Sequence, residues 1–130
     1  MANAKKLDCT WPKARLEPRR LRVADDYLQG VLDGKSFLVF DGAMGTQLQA
    51  RGLAAGELPE LLCLTNPEEV TQIHAAYVAA GADVVTTNTF GANQDKLGTA
   101  ATVEEIFDAA VACARRSGAR YVAADIRPTG

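Results

Sequence analysis

Long apolar runs are missing from this 130-residue chain. None approaches the roughly 18 residues that a membrane helix needs. The N-terminus has no apolar stretch of the kind that marks a secretory leader, so neither a membrane partner nor export is expected. Cysteine is scarce. Cys9, Cys63 and Cys113 stand far apart, with no C-x-x-C pair and no even set for a disulfide framework. A reducing cytoplasm is the simplest setting. Histidine occurs once, at His74. An excess of positive charge is lacking too: 14 Lys and Arg against 16 Asp and Glu give a net charge of −2, which argues against general nucleic-acid binding.

What remains is ordinary soluble globular composition, 48% hydrophobic and 23% charged, enough for one domain. The charge is unevenly placed. Residues 1–22 hold seven Lys or Arg and two Asp or Glu, about +5, and the rest of the chain carries about −7. With Trp11, Pro12 and Pro18 and no period, residues 1–22 read as a basic N-terminal extension. A solvated tail is its plainer reading than a contact for an acidic partner or RNA.

From residue 23 the chain reads as one α/β domain. Ala24, Tyr27, Leu28, Val31 and Leu32 recur at helical spacing before Gly34, which predicts a helix under a first strand. That strand is Phe37, Leu38, Val39 and Phe40, a short apolar run of the buried parallel kind. It runs into Asp41-Gly42-Ala43-Met44-Gly45-Thr46. Gly42 and Gly45 allow a tight turn and close approach to a ligand, and Thr46 can cap a following helix. Residues 47–64 are irregular, with one or two helical turns at 47–51 stopped by Gly52. Leu58, Leu61, Leu62 and Leu64 anchor the loop, and Cys63 in that patch reads as a buried, inert thiol.

Asn66-Pro67, with Glu69 in the capping-box position, opens a well-marked helix. Val70, Ile73, Tyr77 and Ala80 form its stripe and Gly81 ends it. His74 neighbours that stripe, away from any strand end, and reads as structural or exposed. A second strand follows at 83–87, ending in Asn88-Thr89-Phe90-Gly91. Residues 92–101 read as a loop with a possible Asp95–Lys96 ion pair. Thr102 and Glu105 cap a third helix, with Val103, Ile106, Phe107, Ala110, Val111 and Ala114 facing the core and Gly118 closing it. Cys113 reads as packing. A last strand at 121–124 ends at Asp125. Each strand thus ends in a polar cluster, and right-handed crossovers place those ends side by side on one rim. This is the start of a (β/α) barrel or of a doubly wound sheet.

Four motifs in this order resemble the homocysteine S-methyltransferase family, including the N-terminal homocysteine-binding module of cobalamin-dependent methionine synthase. They are Asp-Gly-Ala-Met-Gly-Thr at 41–46, Asn-Pro-Glu at 66–68, Ala-Gly-Ala-Asp-Val-Val-Thr-Thr-Asn-Thr-Phe-Gly-Ala-Asn at 80–93 and Asp-Ile-Arg-Pro-Thr-Gly at 125–130. The resemblance covers about residues 23–130. It implies the N-terminal portion, about three βα units, of a (β/α)8 TIM barrel. It also implies methyl transfer to the thiolate of homocysteine, giving methionine. In the family three cysteines hold a zinc ion that keeps the substrate sulfur as thiolate, and the donor is methylcobalamin, a folate or another methyl compound. Asp41 and Gly42 match the turn that holds the amino-acid end of homocysteine, where a carboxylate can pair with an ammonium and glycine N–H groups can receive a carboxylate. Asn88, Thr89 and Phe90 match the second strand's rim, and Asp125 the third's.

The chain departs from the family in two respects. Arg127 stands where the family has glycine, a position at which a bulky side chain could strain the turn or block the site. The zinc cysteines lie on later strands than this sequence contains, and Cys9, Cys63 and Cys113 do not match them. No bound metal or cofactor, and no catalysis by this chain alone, is therefore expected. Three strands cannot close a barrel. Their open edges predict a marginal chain that associates with itself or with a complementary C-terminal fragment. A non-catalytic amino-acid-binding or partner module is the alternative, and a complete small flavodoxin-like protein is a third.

Overall fold

A computed structural model of the chain describes Val23 and residues 25–127. The basic extension expected over 1–22, Cys9 and the end of the last motif at 128–130 lie outside the described residues. Two compact units divide the chain, Met1–Ser36 and Phe37–Gly130.

In the first unit, α1 (Asp26–Leu32) starts where the Asp25 carboxylate accepts the Leu28 N–H at 2.8 Å. It stops at Gly34, whose φ of 73° is the left-handed conformation that glycine adopts without strain. Its apolar stripe is at most half-buried: no residue of α1 is buried, and Leu32 is exposed.

The second unit is a mixed α/β arrangement. After residues 37–43 come α2 (Met44–Ala50), a 3₁₀ turn at Pro59–Leu61, α3 (Leu62–Thr65) and α4 (Pro67–Ala79). Then follow β1 (Val84–Thr86), α5 (Gln94–Leu97), α6 (Val103–Arg116) and β2 (Tyr121–Ala123). β1 and β2 pair in parallel, with Val84 opposite Tyr121, Val85 opposite Val122 and Thr86 opposite Ala123. On the other side of β1, Val84 donates to the Val39 carbonyl at 3.1 Å and accepts the Asp41 N–H at 2.9 Å. The spatial order of the three extended segments is therefore their chain order.

The first of them is not the buried strand expected at 37–40. It is reduced to a single parallel bridge, Phe40 to Val84, and Phe37, Val39 and Phe40 are exposed. Among the described residues this segment has a sheet neighbour only on the β1 side. One ladder of a few bonds does not make a longer strand. Val84 and Val85, flanked on both sides, are buried as that pattern requires.

The helices form for reasons that are mostly local. Thr102 and Glu105 make the full capping box: the Thr102 hydroxyl accepts the Glu105 N–H at 3.2 Å, and the Glu105 carboxylate accepts the Thr102 N–H at 2.8 Å. The Thr102 N–H and hydroxyl, both within 2.8 Å of that carboxylate, hold the Glu105 carboxyl below its ordinary range. Pro67 sits in the first turn of α4, where its missing N–H costs nothing. Asn66, however, does not cap with its side chain. Its NH2 group donates to the Glu69 carboxylate at 2.8 Å, a charge-assisted bond that orients the side chain, and its oxygen accepts no helix N–H. Thr46 is likewise no cap. The helix begins earlier, at Met44, and the Thr46 hydroxyl donates back to the Ala43 carbonyl at 3.3 Å. Gly45 lies inside α2 and has no positive φ, so it makes no turn. α5 occupies the expected loop, capped by Asn93 accepting the Lys96 N–H at 2.9 Å. Asp95 and Lys96 are successive residues of that helix, so they point apart. No ion pair joins them among the described residues.

α4 and α6 pack together, with α4 also against β1, α6 against β2, and α3 against both helices. One core cluster joins Cys63, Val70, Ala110 and Cys113, and a second joins Leu97, Ala101 and Ile106. The Arg116–Glu68 pair at 2.6 Å bridges α6 to α4 on the surface and adds little there. Among the described residues no helix is long and apolar enough to cross a membrane. Ile106 is fully buried, so Ile106→Ala is expected to cost about 2–5 kcal/mol. Thr102→Ala should cost about 1 kcal/mol. Urea midpoints of the two variants check the order, and an Ile106→Ala loss no larger than the cap loss would contradict this account of the core.

Candidate functional site

The carboxyl ends of the three extended segments converge on one cavity of about 370 Å³. Its lining includes Asp41, Gly42, Asn88, Thr89, Phe90 and Asp125, together with Ala43, Met44, Gly45, Pro59, Glu60, Thr86 and Thr87. The first six are the residues singled out in the sequence. Glu60, Thr86 and Thr87 are not among them.

Asp41 is turned down toward the sheet. One carboxylate oxygen accepts the Thr86 N–H at 2.8 Å and the other accepts the Thr86 hydroxyl at 2.9 Å, and the side chain is 4% exposed. His74 lies beside it, fully buried, with Nδ1 3.8 Å from Asp41 Oδ2. The expectation that His74 stands clear of any strand end is corrected here. One face of α4 carries it into the space beneath the first strand's end. Neither ring nitrogen has a hydrogen-bond partner. Burial lowers the His74 pKa from its ordinary 6.5, against a smaller upward pull from the Asp41 charge, so the imidazole is neutral at pH 7.

Gly42 is required by a neighbour rather than by its own φ. A Cβ there would lie 2.8–3.0 Å from the Tyr77 ring and hydroxyl, and that hydroxyl donates to the Ala43 carbonyl at 3.1 Å. The tyrosine of the α4 stripe thus fixes the turn from below. Asn88 is buried and donates to the Pro59 carbonyl at 2.8 Å and to Cys63 Sγ at 3.6 Å. It joins the 3₁₀ turn to the end of β1. Thr87 and Thr89 share a hydroxyl–hydroxyl bond of 2.8 Å. The Thr89 hydroxyl also reaches the Asp125 carbonyl at 2.7 Å, and the Asp125 N–H donates to the Thr87 hydroxyl at 3.1 Å. These bonds tie the end of β2 to that of β1 through side chains where the ladder stops.

Phe90 is exposed, with the Arg127 guanidinium 5.7 Å from its ring centroid, within cation–π range. Arg127 does not strain its turn: among the described residues no side-chain-bearing residue has a positive φ. It is not among the residues lining the cavity.

Glu60 is 5% exposed and its Oε1 accepts the Gly91 N–H at 2.6 Å, while Oε2 is buried without a partner. A signal for it existed in the sequence: an acid set between Leu58 and Leu61-Leu62 is seldom there for packing. The Cys63 thiol is buried, and burial, with a contribution from Cys113, pushes its pKa up to about 12. It is a protonated, inert thiol at neutral pH. Among the described residues no three His, Cys, Asp or Glu side chains gather so as to hold a metal ion.

The family profile described as homocysteine S-methyltransferase matches residues 38–130. The chain belongs to the homocysteine S-methyltransferase family. The methionine synthase of Mycobacterium tuberculosis is 48% identical over 67 residues, which is 47% of this chain and 6% of that protein. The methionine synthase of Mycobacterium leprae is 43% identical over 77 residues, 55% of this chain and 6% of that protein. In structure, the metallated form of the homocysteine methyltransferase MmuM from Escherichia coli matches with a TM-score of 0.67 at 28% identity, over 79% of this chain and 42% of MmuM. The chain thus spans a small part of the methionine synthases and less than half of MmuM.

A histidine held neutral in the native state binds its proton only after unfolding. Between its lowered native value and the ordinary 6.5, the unfolded chain carries the extra proton. Stability should therefore fall as pH drops below about 6.5, by at most about 1.4 kcal/mol per pH unit. Urea midpoints at about pH 7.5, 6.5 and 5.5 test this, with His74→Leu expected to flatten the dependence over that window. An equal slope in the variant would assign the pH dependence to another group.

Proposed function

We propose that residues 23–130 form the first portion of a (β/α)8 barrel, about three βα units, and that the cavity at its strand ends holds the amino-acid end of homocysteine. The carrying observation is the convergence of Asp41, Gly42, Asn88, Thr89, Phe90 and Asp125 on one cavity at the ends of three parallel segments laid out in chain order. Ligand sites of α/β folds lie at that end. In this reading these residues bind and orient the substrate whose sulfur receives the methyl group.

The family resemblance implies zinc, with methylcobalamin or methyl-folate as donor in the methionine synthase branch. The described residues do not fit a zinc site: they contain no cluster of three ligating side chains, and Cys63 and Cys113 are buried in the core. No step through zinc is assigned to them. We place the zinc-ligating cysteines on another segment, and this chain alone is catalytically incompetent. The exposed apolar residues Phe37, Val39 and Phe40 support a complementary segment, or a second copy, packing against the first strand. The second reading is a non-catalytic amino-acid-binding module.

Calorimetry on the folded chain with L-homocysteine and L-methionine tests the pocket. Binding tighter than about 1 mM (about −4 kcal/mol) is expected, with no stoichiometric zinc and no methyl transfer. No heat from a sample with native circular dichroism would remove the binding reading. Stoichiometric tight zinc with turnover would overturn the assignment of catalysis to another segment.

A further inference from the structure

His74 is the chain's single histidine. Its ring is fully buried, and neither nitrogen has a hydrogen-bond partner. Burying a polar ring with nothing to bond is costly, and an apolar side chain would fill the site without that cost. The ring's position gives the imidazole a use. Nδ1 lies 3.8 Å from Asp41 Oδ2, too far for a hydrogen bond. The same Oδ2 accepts the Thr86 N–H at 2.8 Å, and Oδ1 accepts the Thr86 hydroxyl at 2.9 Å. Asp41 thus lies between Thr86, which holds it, and a buried ring that does not yet touch it.

The elements packed on α4 bring no second charge to the ring. α2 and β1 carry no titratable side chain. α3 contributes the Cys63 thiol and α6 the Cys113 thiol, both packed around Val70, while the acids and arginines of α6 are exposed. On α4 itself Glu68 is exposed, Glu69 is bonded by Asn66, and the Tyr77 hydroxyl donates to the Ala43 carbonyl. Asp41 is the one charge that acts on His74.

We propose that His74 is a positioning residue that acts through Asp41 and makes occupancy of the cavity sensitive to protons. The neutral imidazole leaves Oδ2 to Thr86, and the end of the first segment stays clamped to the end of β1. Once protonated, both ring nitrogens are donors, and the charged acceptor beside them is Asp41. Closing 3.8 Å to a charge-assisted bond of about 2.8 Å moves ring or carboxylate by about 1 Å and draws Oδ2 off the Thr86 N–H. Asp41, Gly42 and Thr86 all line the cavity, so the shift reaches the site. The ligand therefore prefers the neutral ring, and by linkage a filled cavity resists protonation of His74. The proposal rests on the reading of the cavity as an amino-acid site and adds its regulation.

The test uses the full chain with L-homocysteine, whose own groups do not titrate between about pH 5 and 7. Burial holds the ring's pKa below its ordinary 6.5, so the effect belongs to the acid side of that value. Calorimetry should show affinity level above about pH 7 and about threefold or more weaker at about pH 5. Circular dichroism confirms that the chain is folded at each pH. A single histidine makes the imidazole resonances unambiguous by NMR. Saturating homocysteine should lower their titration midpoint by about half a pH unit, the same threefold factor seen from the other side. The Thr86 amide resonance should move with that midpoint, a response that a ring serving only to fill space would not give. His74→Gln should abolish the pH dependence of binding. A ring that stays neutral down to about pH 5, or whose midpoint is the same with and without homocysteine, overturns the proposal while the pocket reading stands. A folded chain that binds no homocysteine at about pH 7 overturns the pocket reading, and this proposal with it.

Discussion

The pocket depends on the grip between Asp41 and Thr86. Two hydrogen bonds of 2.8 and 2.9 Å join the end of the first extended segment to the end of β1, where the main-chain ladder between them is short. Backbone pairing alone gives that first segment a single bridge. The carboxylate adds a charge-assisted bond to a main-chain N–H and a second bond to a hydroxyl, both partly buried, where such bonds gain strength. Asp83 does similar work at the other end of the pair, its carboxylate accepting the Val39 N–H at 2.9 Å. Side chains thus finish what three residues of strand begin.

Much of the unit could be read from sequence because its signals are local. The capping box of α6 needs only Thr102 and Glu105, and the helix stops at Gly81 and Gly118 need only residues that take φ of 105° and 81°. What escaped the reading depends on distant partners. Asn66 has every mark of a cap, yet its side chain is oriented by its NH2 bond to the Glu69 carboxylate and its oxygen caps nothing. Residues 37–40 have the composition of a buried strand, but burial needs a layer on each face, and composition cannot supply one. His74 sits one residue from the apolar stripe, and only the packing of α4 against β1 shows that its ring ends beside Asp41. The six sequence-derived site residues were found through strand ends and family motifs. Glu60 lies in an irregular turn far from any strand, and the space made for it by Gly91 is invisible without coordinates.

The glycines of the site illustrate two separate uses of a missing side chain. At residue 42 the open space is filled by the Tyr77 ring from α4, and at residue 91 by the Glu60 carboxylate. Neither position has a positive φ. Both are therefore contact constraints and not turn constraints. They seat a helix side chain and a 3₁₀-turn side chain against strand ends at distances that alanine would force to widen. The same cavity is bounded by the threonine hydroxyls at 87 and 89, which tie the two strand ends without reaching outward.

The bonds that build this floor also carry a kinetic meaning. Asp41 to Thr86 spans 45 positions of chain, Thr89 to Asp125 spans 36 and Glu60 to Gly91 spans 31. Helices close over three or four. Contacts across such separations must overcome the entropy of closing large loops before they return any energy. The helices of this unit therefore cost less loop-closure entropy to form than its cavity does. A molecule that fills the cavity acts on interactions made late in folding, and such interactions govern how slowly the native state comes apart more than how quickly it forms. Occupancy of the pocket then works as a brake on unfolding.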